Sequence, residues 1–599
     1  MKTSLQLNIG VLLLVTACIR IPFLNKSNAT GAEVPARVPA QFPATWKFAP
    51  GRAATFAPNG MVAANHKPAA EAGAEILRAG GNAVDAAVAT AFALAVSFPE
   101  AGNLGGGGFM VIRMADGRTA AIDYRETAPA ASTRNMYLDA AGNATDGSLV
   151  GRLASGVPGA VAGLAEAQRK YGSMSLAHVL APAIRMAEEG VVIDSVYRAL
   201  LLDYRRRIES YAGGAVFFQD GDAPAVGSSL KLPELASTLK LIARDGPRAF
   251  YEGAIADQIV AEMSRDCDAQ KPGLAVASVR RCGLITKKDL ATYKPEWRQP
   301  IRTTYRGYAM LTMPPASSGG ITVSETLNIL EGFHSLPSFG SVLYKHLLRE
   351  SLQRAFIDRN TTLADPAFAA IPLVRLTSKT YAEGLRKAID SIQARPAPTA
   401  AAAMREGMET TPHSVVDKWG NAVSVTTTLN SLFGNGVYVR GAGFFMNNTM
   451  DDFAAKPGTA NQFGLVQGEQ NAVAANKRAL SAMSPTIVLD PRGELFLVVG
   501  GRGGPRIITS VAQIILNVID HRMSLADAMS APRIHHQWLP DSTYYERGGL
   551  TPEVISALNM TGHKMNPTSG VAINAAIMRV KGGWEGMDDP RSHGGAVGY

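Results

Sequence analysis

A chain of 599 residues, 46% hydrophobic and 18% charged, can bury a large core and is long enough for two to four domains of ordinary size. Its formal net charge of +9 and pI of about 9.3 come from dispersed basic residues. Only Arg205-Arg206-Arg207 and Arg280-Arg281 cluster, and no aromatic ladder accompanies them, which argues against a nucleic-acid groove. Beyond the N-terminus no segment is long and apolar enough to span a bilayer.

At the N-terminus, Lys2 precedes an uncharged stretch from Thr3 to Ile19 whose apolar centre runs from Ile9 to Val15. This is shorter than the ~20 residues of a spanning helix and reads as a secretory signal, so the protein is expected to be exported, to the periplasm or the medium. Two exits are open. Ser27-Asn28-Ala29 offers ordinary cleavage and a signal peptide of residues 1–29, whereas Val15-Thr16-Ala17-Cys18 resembles a lipobox, which would end the signal at residue 17 and anchor the protein at Cys18. Residues 30–60, rich in Pro and Ala from Glu33 to about Gly51, are expected to form an extended arm. Of three cysteines, Cys267 and Cys282 are spaced for a disulfide that staples a surface loop and gains ~3 kcal/mol; two free thiols are the alternative.

The globular pattern begins near Met61. His66 to Ala79 and Ala83 to Val96 read as two helices separated by the cap-like Gly80-Gly81-Asn82. The run Gly102-Asn103-Leu104-Gly105-Gly106-Gly107-Gly108 enters a strand paired with Ala120 to Arg125. It follows a helix and opens a strand, the reverse of a phosphate loop, so close packing is expected. Residues 160–400 read as mainly helical, with a loop at Pro314 to Gly320, and Ala394 to Ala403 carries little pattern. A hairpin at 410–430, an irregular stretch from Asp451 to Asn476, a second hairpin (Thr486 to Leu489 and Leu495 to Gly500) and a helix from about Ile507 to Val518 follow. Strands from both ends of the chain, flanked by helices, predict one layered α/β domain.

The hairpin at 410 carries the chemistry. A threonine hydroxyl needs a base, and an N-terminal threonine supplies its own: the α-amine, with a reference pKa near ~7.7–8.0, is partly neutral at pH 7–8. That requires cutting the bond between Glu409 and Thr410. No metal-ligand spacing exists among ten histidines and three cysteines, and His535-His536 beside Trp538 reads as packing, so neither metal nor cofactor is expected.

Several ordered blocks resemble the γ-glutamyltranspeptidases, N-terminal-nucleophile enzymes that cleave glutathione. They include Gly80 to Ala87, Gly102 to Phe109, Asp123-Tyr124-Arg125-Glu126, Met313-Pro314-Pro315, Met450-Asp451-Asp452-Phe453, Asn476-Lys477-Arg478, Met483 to Thr486 and Asp589-Pro590-Arg591. The resemblance implies a four-layer αββα sandwich and self-cleavage into a large subunit (61–409, after signal and arm) and a small catalytic subunit (410–599) that remain together as a heterodimer. It implies a γ-glutamyl ester on Thr410, passed to water or to an amino-acid or peptide acceptor. Thr428 would hydrogen-bond the nucleophile, Gly503 and Gly504 would donate backbone N–H to the oxyanion, and Arg125 would pair with the glutamyl α-carboxylate, with Ser481 on the same side. Asn430 and Asp452 would hold the α-ammonium.

The chain also departs from that pattern. Pro412 shifts the spacing to His413 and opens a second register with Thr411 as nucleophile; the gap-free match from Ser414 to Asn430 favours Thr410. Pro412 also removes a ladder donor, which an edge position tolerates. Around the substrate, Ala482 stands in place of a second serine, Thr449 in place of Gln or Glu, Phe463 in place of a lid tyrosine, and Arg502 in place of proline. Two rivals therefore stand: a cephalosporin-acylase-like amidase that removes a glutaryl group, and a processing-defective homologue that only binds.

Overall fold

The strand containing Thr410's neighbour, Thr411–Val416, pairs antiparallel with Ala422–Thr428 in the register Thr411↔Thr427, through the tight turn expected at Gly420-Asn421. On its other side it pairs with Met61–Ala64, from the far end of the chain. The structure, a computed structural model, describes residues 40–48, 53–218, 221–265, 282–398 and 409–599. The signal segment with Cys18, residues 30–39 and 49–52 of the arm, Cys267 and the stretch 399–408 lie outside the described residues. Cys282, inside them, is disulfide-bonded.

Two seven-stranded sheets form the centre. In the first, the Thr411–Val416 and Ala422–Thr428 hairpin lies between Met61–Ala64 and Gly107–Arg113, and Gly595–Gly598, Thr119–Asp123 and Glu296–Arg298 complete it. In the second, Leu495–Arg502 is central, between Thr486–Leu489 and Ile573–Val580; Tyr308–Thr312, Ile301–Tyr305, Gly583–Asp588 and Thr55–Ala57 lie outward. Helices Lys67–Arg78 and Ala83–Ser97 cover the first sheet, and Gly319–Glu331 and Arg506–Ile519 cover the second, giving the expected αββα order.

Strand alternation explains how one strand serves two cores. Met110 and Ile112 pack on the helical side with Val423 and Val425, whereas Phe109 and Val111 pack between the sheets with Val416 and Ala422. Both faces are apolar because both are covered. The helix Ala83–Ser97 is buried along its whole length, which its alanines permit, and Asn82 caps it in a reciprocal box with Asp85.

Three expectations change. The segment 296–312, read as part of a helical region, supplies three short strands to the two sheets. The arm is not wholly detached: Thr55–Ala57 is an edge strand, and Trp46 is buried with its indole N–H donating to Ser530 O. The Thr411 strand is interior rather than an edge. Pro412 is accommodated because the pairing with Met61–Ala64 begins only at His413, so the missing N–H falls where that neighbour has ended.

The glycine run is packing, as its order predicted. A Cβ on Gly106 would stand 2.1 Å from Thr428 O and one on Gly105 2.1 Å from Phe445 O. Gly106→Ala should therefore displace the end of the Thr428 strand, lower thermal stability by about 1–3 kcal/mol, and slow any conversion of the chain into two pieces, as followed by calorimetry and denaturing electrophoresis.

Candidate active site

Because side chains alternate along a strand, Pro412, Thr426, Thr428 and Thr410 all belong to the face that looks into the space between the sheets. Thr410 departs from extended geometry with φ +82°, and its Oγ1 lies 3.0 Å from Thr428 Oγ1. Thr428 Oγ1 also accepts the Asn430 N–H at 2.8 Å, in a turn where Asn430 itself has φ +77°. With one lone pair so engaged, the Thr428 hydroxyl keeps its proton available to donate toward Thr410. Thr411 sits on the opposite face with His413, whose Nε2 meets Ala87 O at 3.0 Å; the Thr411 hydroxyl reaches none of these groups.

The second sheet contributes the other half. Leu495–Arg502 ends in Gly503 and Gly504, with φ of +123° and +56°, which L side chains rarely adopt. The turn leads directly into the helix Arg506–Ile519. Gly503 N–H donates to the carbonyl of Glu409 at 3.0 Å. The carbonyl of the bond preceding Thr410 is thus polarised by one of the two glycines that the sequence singled out as oxyanion donors.

Arg125 is fully buried at the end of the Thr119–Asp123 strand. Its Nη2 donates to Asp452 Oδ2, its Nη1 to Glu126 at 3.4 Å and its Nε to Ala479 O at 3.3 Å. The two groups expected to hold opposite ends of a zwitterion therefore hold each other here. Asn430, Ser481, Ala482, Phe463 and Gly504 line the same small cavity as Thr410, Thr428, Arg125 and Asp452. Thr449 does not; its hydroxyl donates to Glu126 at 2.8 Å, one layer behind Arg125. Phe463 packs on Gly504 and accepts Gln537 Nε2 at its carbonyl, so its anchorage is backbone-mediated.

One charged lining residue escaped the sequence: Arg359, on the long helix Val342–Thr362, buried and held by Ser318 Oγ at 3.0 Å and Asn360 Oδ1 at 2.7 Å. Burial pulls its guanidinium down to about 10, opposed by Asp452. Nothing in its helical spacing marks it, because the pairing that brings it to Asp452 is purely tertiary.

The site holds no histidine base. Burial lowers His413 to about 4, so it is neutral at pH 7. The cavity around Thr410 is about 20 Å³, room for about one water molecule and no amino acid. A recess of about 690 Å³ beside Glu166, Arg169 and Lys294 contains none of the expected site residues. Among the described residues no cluster of His, Cys, Asp and Glu is disposed to hold a metal; His535 and His536 instead bond Thr509, Gln537 and Ser542 O. No helix of the described residues is long and apolar enough to cross a membrane.

Glu409 is buried and its carboxyl is pushed up to about 7, first by desolvation and against the opposing charges of Arg502, Arg506 and Arg207. A carboxyl raised above its unfolded value binds more protons folded than unfolded, so its contribution falls as pH rises from about 4.5 through about 7. In a Thr410→Ala background, Glu409→Gln should raise stability by on the order of 1–3 kcal/mol at pH 8 and by little at pH 5, measured as paired melting curves.

With this geometry in hand, comparison with known proteins is specific. A family model described as Gamma-glutamyltranspeptidase matches residues 69–599. A glutathione hydrolase proenzyme of Escherichia coli (strain K12) is 45% identical over 90% of this chain and 91% of its own. An Acylase ACY 1 proenzyme of Pseudomonas sp. (strain SE83) is 38% identical over 90% and 93%. Among solved structures, a cephalosporin acylase from Bacillus halodurans aligns with a TM-score of 0.80 at 29% identity, over 93% of this chain and 99% of that one.

Proposed function

The chain belongs to the γ-glutamyltranspeptidase family, and from that premise we propose that Thr410 is its nucleophile, exposed when the protein cuts its own Glu409–Thr410 bond. The protein is an autoprocessed γ-glutamyl hydrolase and transferase. Glutathione and related γ-glutamyl amides are its substrates, and water or an amino-acid or peptide amine is the acceptor. The observation that carries the assignment is joint: Thr410 Oγ1 against Thr428 Oγ1, with the Glu409 carbonyl on Gly503 N–H.

Self-cleavage follows from that pairing. Thr410 Oγ attacks the Glu409 carbonyl carbon while Gly503 N–H takes up charge on its oxygen. The C–N bond breaks, the hydroxyl proton passes to the nitrogen, and an ester links Glu409 to Thr410. Water hydrolyses the ester, leaving a new carboxylate on Glu409 and a free amine and hydroxyl on Thr410. The positive φ of Thr410 places backbone strain beside the bond that breaks. The large piece then ends at Glu409 and the small one is 410–599, the two remaining interleaved in the same sheets.

In turnover the freed α-amine accepts the Thr410 hydroxyl proton and Thr428 donates to the same oxygen. Attack on the γ-carbonyl puts its oxygen at Gly503 and Gly504; collapse expels the leaving amine with the proton and forms the γ-glutamyl ester. Water or an acceptor amine reverses the sequence. Arg125 pairs with the α-carboxylate, beside Ser481, while Asp452 and Asn430 take the α-ammonium. The N-terminal segment supports export.

The likeness to acylases supports a second reading, in which a glutaryl group replaces γ-glutamyl. Asp452, beside Arg125, favours a headgroup carrying an amine.

Thr410→Ala should leave one uncleaved, inactive chain on a denaturing gel, and N-terminal sequencing of the wild-type small piece should begin at Thr410; a start at Thr411 overturns the register. A wild-type chain that never splits would instead identify a binding homologue. Hydrolysis of γ-glutamyl-p-nitroanilide should exceed that of the glutaryl analogue, and Arg125→Lys, which loses the planar fork, should lower kcat/KM for the γ-glutamyl compound by about tenfold or more.

A further inference from the structure

Arg502 is the residue immediately before the Gly503 donor. It shares a strand face with Gly500, and a side chain at Gly500 would meet Pro412 Cβ at 3.2 Å and Thr426 Oγ1 at 3.5 Å. The Arg502 side chain therefore extends into the space between the sheets, beside the Thr410 strand. Its guanidinium lies 5.0 Å from the Phe98 ring centroid, its Nε is buried without an acceptor, and it forms no ion pair among the described residues. A buried cation without a carboxylate in direct contact is costly, and a ligand carboxylate would relieve the cost.

In the uncleaved chain Glu409 Oε2 is buried without a hydrogen-bond donor, and Arg502 is the first of the cations acting on its carboxylate, ahead of Arg506 and Arg207. Once the acyl chain of a substrate occupies the Arg125 side, the departing or entering amine must use the side on which Arg502 stands. Arg502 also lines a cavity of about 170 Å³ together with His66, Ser97, Glu100, Asp194 and Tyr197. His66 Nδ1, Ser97 Oγ, Glu100 Oε2 and Tyr197 OH are buried there without partners. Four unmet polar groups around one cavity suit a polar ligand better than an apolar one.

We propose that Arg502 and this cavity form a subsite for the carboxylate of the amine partner, the C-terminal carboxylate of the amino acid or short peptide that leaves a γ-glutamyl amide or accepts the acyl group. The inference rests on Thr410 as nucleophile at Gly503. It makes Arg502 a specificity residue for the leaving and accepting group and gives it no part in bond making.

The test compares amine partners with and without a carboxylate. Glutathione releases one that has it; γ-glutamyl-p-nitroanilide releases one that lacks it. In Arg502→Gln the ratio of kcat/KM for glutathione to that for the anilide should fall about tenfold or more, the change residing in KM. Any disturbance of the oxyanion turn affects both substrates and cancels in the ratio. In transfer assays on the wild-type enzyme, glycylglycine should show a KM about tenfold below that of glycylglycinamide, a gap that closes in the variant. A variant that splits and hydrolyses the anilide with an unchanged ratio overturns the subsite while leaving Thr410 in place; loss of Thr410 chemistry in the wild type would instead overturn the underlying reading. Should the variant remain uncleaved, equal KM values for glycylglycine and its amide in the wild type overturn the proposal, and the tenfold gap supports it.

Discussion

The hydrogen bond from Gly503 N–H to the Glu409 carbonyl ties the end of one sheet's strand to the start of the other's. Neither sheet alone makes a site. The Thr411–Val416 and Ala422–Thr428 hairpin brings two hydroxyls together, but the donor for the carbonyl oxygen comes from Leu495–Arg502. The apolar layer between the sheets, with Phe109, Val111 and Val416 from one and Val498 and Ile577 from the other, fixes their separation. Catalytic geometry here is a consequence of sheet packing, and residues far from Thr410, such as Gly106 against Thr428 O, set it as firmly as residues that line the cavity.

Much of this was legible in sequence because it is local. The turn at Gly420-Asn421 specifies the hairpin and Gly80-Gly81-Asn82 separates two helices, while two glycines before a helix mark a turn whose donor role came from the family resemblance. What escaped is tertiary. Arg359 approaches Asp452 only because the helix Val342–Thr362 crosses behind the cavity, and its neighbours in sequence carry no mark of that. The strands between Glu296 and Thr312 are three to five residues long, too short for a period to declare itself. Thr449 illustrates the opposite case: the family resemblance put it around the substrate, but its short hydroxyl side chain reaches Glu126 and does not line the cavity. Pro412 looked like an edge residue because proline usually is one, and only the truncated pairing of Met61–Ala64 explains an interior place.

The electrostatics around Thr410 separate into two regions. On one side, Arg125, Arg359, Asp452 and Glu126 are buried together; on the other, Arg502, Arg506 and Arg207 act on Glu409, with Glu100 behind them. Burial pushes Glu100 up to about 8 and Glu409 up to about 7, so neither fully offsets the neighbouring guanidinium groups at neutral pH. Cutting after Glu409, as proposed, would create an additional carboxylate in this cationic region, and electrostatics alone would not drive that end away.

With the roles proposed for Arg125 and Asp452, their pairing favours an amino-acid headgroup. Both charges are buried, and in the closed site each satisfies the other. On the proposed assignment a γ-glutamyl headgroup would enter by exchange: its carboxylate would replace Asp452 on Arg125 and its ammonium would replace Arg125 on Asp452, adding one buried ion pair without stranding either charge. A glutaryl group brings a carboxylate alone. It can take Arg125 only by leaving Asp452 to Arg359, whose guanidinium is already held by Ser318 and Asn360, or by protonating it. Leaving a buried charge incompletely paired costs several kcal/mol, far more than the difference in size between an amine and a hydrogen. Discrimination in this pocket is consequently set less by the fit of the ligand than by the state in which its absence leaves Asp452.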